Sequence, residues 1–217
     1  RGDPEFGISR GRLLPRHTVL AREQLPADIE KRLSASIVIV HGGLSLNVGP
    51  ILEMVTTRYL LRSKAPWEAR REGGRLFGRV VEAIESGSMK RLGALCTRDW
   101  DDSTKIIIPW ASNAFTEDLI AEVKAKTGRD YWGFLMLGGA SGGGMAFLVD
   151  PRRRDRFQDE VLGIMQKLKD RYASALPFAM DPVVYDFKLN YRGVQADLLK
   201  GKAAVMPAGY RPPEVRT

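Results

Sequence analysis

Residues 138–144 read Gly-Gly-Ala-Ser-Gly-Gly-Gly, and five of these seven are glycine. Glycine gives up more backbone entropy on folding than any other residue, so a simple hairpin has no need of so many. The run suits a main chain that takes unusual angles and lets another group come close. Successive N–H groups in such a turn form an anion-binding concavity. The candidate donors are Gly139, Ala140, Ser141, Gly142, Gly143 and Gly144, with the Ser141 hydroxyl as an addition. Three readings stay open on the residues alone: contact with phosphate or substrate, a tight structural turn, or a protein-contact loop. Two familiar loops are excluded. No lysine follows as in GxxxxGK[ST], and a strand rather than a helix follows, unlike a dinucleotide fingerprint.

A second glycine pair lies at His41-Gly42-Gly43, where a buried strand meets a helix that begins near Asn47. Helix N-termini favour anions, so His41, Gly42, Gly43 and Ser45 are candidates for substrate contact. An ordinary strand-to-helix connection explains the same residues. Trp110, after Pro109 in a loop, is the best placed of the four tryptophans to line a pocket. Asp99, Asp101 and Asp102 are either a charged helix end or an acidic cluster, and no ligand spacing links them to His17 or His41. Cys96 sits on an apolar helix face and reads as core. No catalytic residue and no metal ligand is assigned.

The elements that position these residues follow from periodicity and punctuation. Ser36–Val40 is short, β-branched and bounded by polar and glycine positions, which predicts a buried strand. Pro26–Leu33 is a lead-in or a single helical turn. Leu44–Arg62 is a loop entering a helix, with Ser45 or Asn47 as cap and Pro50 in its first turn. Helices are predicted over 67–85, with Leu76, Val80, Val81 and Ile84 inward, and over 89–100, with Leu92, Leu95 and Cys96 inward. Residues 101–112 read as a loop in which Ile106-Ile107-Ile108 looks like a strand. Thr116 is the predicted cap of a helix over 117–126. Strands at 131–137 and 145–149 flank the glycine turn. A long helix over 152–172 carries the stripe Phe157, Val161, Ile164, Met165 and Leu168, and a last strand spans 183–189. This order predicts an α+β fold: an antiparallel or mixed sheet with helices packed on one face.

Of the 217 residues, 44% are hydrophobic, which is enough for a true core. The formal net charge is +8, from 34 basic against 26 acidic residues. The field attracts anions, but the cations are scattered and carry no zinc-module or RNA-binding signature. A nucleic-acid partner is therefore not expected. A single cysteine rules out a disulfide within the chain and suits a reducing compartment. No apolar run reaches the roughly 18–20 residues of a membrane span. The expectation is a cytoplasmic protein with no membrane partner. Residues 1–6 read as a vector-derived tag ahead of a piece of a longer protein, 7–192 as the domain, and 193–217 as a flexible tail.

With these residues in view, the chain resembles the C-terminal domain of the GHMP kinases, the galactokinase, homoserine kinase and mevalonate kinase superfamily. That family's third motif is a Gly-Ala-Gly-Gly-Gly-Gly turn between two strands. Gly139-Ala140-Ser141-Gly142-Gly143-Gly144 matches it, with serine at the third position as a departure. Ile37 to Ser45, Gly87 to Trp100 and Trp110 to Val123 support a likeness to the sugar-kinase branch acting on L-fucose and heptoses. The resemblance covers about residues 17–192. It implies a ferredoxin-like sheet forming one wall of a cleft, with the glycine turn beside nucleotide phosphates and substrate. It also implies ATP and Mg2+ in the complete enzyme and a sugar as substrate. The family's Pro-x-x-x-Gly-Leu-Gly-Ser-Ser-Ala loop and its acceptor-side acid belong to an N-terminal lobe, and nothing in this sequence matches them. The expectation is a lobe inactive alone, whose partner is that N-terminal lobe. A non-catalytic ligand-binding or interaction module that kept the fold is the alternative.

Overall fold

In the computed structural model, residues 20–44, 48–138, 144–176, 179–190 and 195–203 are described. The chain divides into two units, Arg1–Phe187 and Lys188–Thr217. In the second unit the described residues form one 3-10 turn, Gly201–Ala203, and leave Leu198 and Leu199 exposed.

The first unit begins with α1 (Ile29–Ser36), which runs directly into β1 (Ile37–His41). There follow α2 (Gly49–Leu60), α3 (Lys64–Glu85) and α4 (Met89–Asp99). A π turn at Trp100–Thr104 continues α4 into the short α5 (Lys105–Ile107). Next come α6 (Ala114–Thr127), β2 (Tyr131–Met136), β3 (Gly144–Val149), α7 (Arg154–Arg171) and β4 (Val183–Tyr185). The strands lie in the order β2-β3-β1-β4, and every pairing is antiparallel. With α6 before the hairpin and α7 after it, this is the split βαβ arrangement of ferredoxin-like folds.

Strand periodicity decides the core. Val38, Val40, Met145, Phe147 and Val149 share one sheet face through the β1–β3 register and are buried against α6 and α7. All five residues of the α7 stripe, from Phe157 to Leu168, are buried there. The α+β class is thus the architecture found, with its sheet antiparallel throughout and α6 and α7 packed on this face. A second apolar cluster gathers around Leu148 on the opposite face of β3. It joins Ile29 of α1, Leu76 and Ala83 of α3, and Met89, Leu92 and Leu95 of α4. Among the described residues no helix is long and apolar enough to cross a membrane.

Four local expectations change. Ile106 and Ile107 are helical, because α4 continues through the π turn and Lys105 reaches back to Asp101 at i,i+4. Helix continuity here overrides β-branched propensity. The cap of α6 is Asn113, not Thr116. The Asn113 side chain accepts from Thr116 N at 3.0 Å, and Asn113 N donates to Thr116 Oγ1 at 3.1 Å. Thr116 is the reciprocal partner of a capping box, three residues inside. Helix α3 starts at Lys64, with Pro66 inside its first turn, where its missing N–H would have had no helical partner. The last strand is only three residues long, since Phe187 N turns back to Tyr185 O at 2.9 Å.

Helix α4 meets β2 backbone to backbone. A Cβ on Gly93 would lie 2.7 Å from Trp132 O, and one on Gly133 would overlap Gly93 O. Gly133 also has φ +151°, and the register slips between Tyr131 and Gly133. Glycine within a strand marks such a bulge and close approach. Phe134 N donates to Thr97 Oγ1 of α4 at 3.2 Å.

Candidate functional site

The β1–β3 register places His41, the last residue of β1, opposite Gly144, the first of β3. The hairpin closes just there, with Leu137 N donating to Gly144 O at 3.0 Å. Gly138 follows at φ +56°, and a Cβ on it would meet nothing within 4 Å. The two glycine segments that are far apart in sequence therefore leave neighbouring strands at one end of the sheet. Gly139, Ala140, Ser141, Gly142 and Gly143 lie outside the described residues, as do Ser45 and Asn47.

His41 is half-buried and takes a defined hydrogen-bond role. Gly43 N donates to its Nδ1 at 3.0 Å. Nδ1 therefore acts as acceptor, and a neutral ring carries its proton on Nε2. Its Cδ2 would lie 3.8 Å from a Cβ on Gly144, so the imidazole borders the base of the turn.

Gly42 and Gly43 are buried, and their glycine identity has a packing cause. A Cβ on Gly42 would come within 2.5 Å of Phe115 Cε1. Gly43 holds φ +84°, and a Cβ there would overlap Met180 O. Met180 N donates to Gly43 O at 2.9 Å, so both polar backbone groups of Gly43 are used within the chain.

Trp110 stands in the 3-10 turn Pro109–Ala111 and is 57% exposed. Its neighbour Ala111 is fully buried, and Phe115, just beyond, rests on Gly42. The segment is anchored by a residue that sequence reasoning missed. Glu117 accepts from Trp100 Nε1 at 3.3 Å and from Ser112 Oγ at 2.5 Å, with Lys105 Nζ at 3.8 Å. These partners bracket Trp110 on both sides. The only signal in the sequence is an acid in the first turn of α6, which the helix dipole alone explains.

The acidic trio is a charged helix end. Asp99 accepts from Thr104 Oγ1 at 3.2 Å, Asp101 pairs with Lys105 at 2.7 Å, and Asp102 with Arg98 at 2.7 Å. Burial pushes the Cys96 thiol up to about 11, with the nearby Asp99 charge adding to the effect. The thiol stays protonated at neutral pH, as a core cysteine would. Among the described residues no group of three or more His, Cys, Asp or Glu could hold a metal ion.

No protein-family model matches this sequence, and no curated protein does. Solved structures do match. One is the L. major mevalonate kinase in complex with R-mevalonate, at 17% identity and TM-score 0.50. The match covers 69% of this chain and 41% of that one. Another is the Lactococcus lactis galactokinase complexed with galactose, at 13% identity and TM-score 0.50. It covers 69% of this chain and 44% of the galactokinase. The fold is GHMP-kinase-like. The chain spans less than half the length of either kinase. At such identities the kinase-like fold is what is shared, and activity has to be argued from the site.

Proposed function

We propose that the chain is the C-terminal lobe of an ATP-dependent kinase that phosphorylates a sugar hydroxyl, of the L-fucose or heptose type. It is inactive until an N-terminal lobe completes the cleft. One observation carries this reading. His41 at the end of β1 stands opposite Gly144 at the mouth of the glycine turn, in a fold shared with a mevalonate kinase and a galactokinase.

Phosphoryl transfer is largely positioning and charge stabilisation. In this reading the N–H groups of Gly139 to Gly144 supply dipoles beside phosphate. His41, Gly42, Gly43, Ser45 and Trp110 form the sugar-facing edge, where His41 Nε2–H is the ring's remaining donor. Gly42 and Gly43 act by keeping that edge close-packed. ATP with Mg2+ supplies the transferred phosphoryl group, and the N-terminal lobe supplies the phosphate loop and the acceptor-side acid. The cytoplasm, which keeps Cys96 reduced, is the proposed compartment.

The test is ATP consumption with a panel of free sugars, by this chain alone and by the chain joined to its N-terminal lobe. Background rates for the first and sugar-dependent turnover for the second are expected. Sugar-dependent turnover by the chain alone would overturn the reading.

A further inference from the structure

The hairpin has a second end. Where β2 begins and β3 stops, a cleft of about 950 Å³ opens between the start of α4, the end of α6 and the turn after β3. Five cationic side chains line it: Lys90, Lys126, Arg129, Arg152 and Arg153. The two carboxylates in its wall are already taken. Arg152 grips Asp150 through Nε at 3.0 Å and Nη2 at 2.7 Å, and its own N–H adds a third bond at 3.0 Å. Arg153 stands 3.8 Å from Asp130. These bonds hold the Asp150 carboxyl down at about 2, with the Arg152 side chain as the main cause. Asp150 is therefore ionised and matched, and it offers no charge to the remaining cations. Among the described residues, Lys90, Lys126 and Arg129 have no acidic partner within 4 Å.

The apolar wall is equally specific. Trp132 lines the cleft, and it occupies the bulge that the Gly93–Gly133 contact imposes on β2. Bulges re-aim side chains, and an indole face stacks on planar or sugar rings. Three unmatched cations come from two separate elements. A chain of phosphates offers each of them an anionic group, with charge-assisted bonds at each contact.

We infer that this cleft binds a small organic polyphosphate: two or more phosphate groups on Lys90, Lys126 and Arg129, with its ring against Trp132. The site is distinct from the glycine-turn end of the sheet and does not rest on the kinase reading.

The experiment is calorimetric titration of inorganic tripolyphosphate into the full chain at fixed ionic strength, with orthophosphate as comparison. One saturable site is expected, with orthophosphate weaker by about tenfold or more. Lys126→Glu with Arg129→Glu should weaken tripolyphosphate by about tenfold or more. Arg71→Glu with Arg79→Glu, an equal charge change on the exposed side of α3, should shift it by less than about threefold. Lys90→Gln, on another element, gives an independent reading and should also weaken binding. Four results would overturn the site or its ligand class: binding without saturation, equal loss in both double variants, orthophosphate binding as tightly as tripolyphosphate, or tight preference for a long single-stranded oligonucleotide that excludes tripolyphosphate.

Discussion

The two ends of the β2–β3 hairpin use the polypeptide in opposite ways. At the turn end, among the described residues, Gly138, Gly144 and the close-packed Gly42 and Gly43 present backbone beside one imidazole. At the other end, long charged side chains surround an open cleft. The first end depends on conformation and the second on charge. Added bulk should therefore disturb the one, and pH or salt the other.

Substituting the glycines of the hairpin separates steric from conformational need. Gly133→Ala drives a Cβ into Gly93 O, at a backbone angle that side chains avoid. It should destabilise the fold by about 3 kcal/mol or more, read as the midpoint of denaturant unfolding. Gly138→Ala has the positive angle but open space around it. A loss of only about 1–2 kcal/mol is expected. Equal losses would show that crowding at the α4–β2 contact is not what separates the two. Gly78→Ala on α3 is the control, since a Cβ there meets nothing within 4 Å. It should stabilise by about 0.5–1 kcal/mol.

The charged end should respond to acid. Asp150 has its folded pKa lowered from 3.8 to about 2. A depressed carboxylate contributes stability that is present above the unfolded value and lost as pH falls through the folded one. Between pH 4 and pH 2 the wild type should therefore lose stability that Asp150→Asn has already given up. Unfolding midpoints at pH 5, 3 and 2 check this, and parallel slopes would argue against the Arg152 grip. A second pH effect, at the alkaline end, is set by Cys96, raised from 9.0 to about 11. Its folded pKa is the higher, so its contribution is present below pH 9 and fades as pH climbs toward 11. Thiol labelling at pH 8 should be slow in the folded chain and fast in denaturant. Rapid labelling of the folded chain would contradict its burial.

The fold was legible where periodicity is strong. The α7 stripe and the strands β1, β2 and β3 show their periods openly, and the run of glycines marks the hairpin. Ile106–Ile108 misled because β-branched propensity is weaker than a helix already under way. Asn113 was passed over because either partner of a capping box looks like a cap in one dimension. The pairing of His41 with Gly144 is a register fact, and a single sequence holds no record of which residues face each other across strands. Gly93 and Gly133 were silent for the same reason, since each needs the other to explain it. The basic cleft was invisible because its cations come from three separated segments, which composition reads as scatter.

The central claim is that the glycine turn is a working wall of a kinase cleft. It is tested most directly by Gly143→Trp in the chain joined to its N-terminal lobe, compared with Gly78→Ala, by sugar-dependent ATP consumption. A fall of about a hundredfold in turnover is predicted for Gly143→Trp, as expected when reacting groups are displaced by an ångström or so, with Gly78→Ala unchanged. Wild-type turnover by Gly143→Trp would contradict the account.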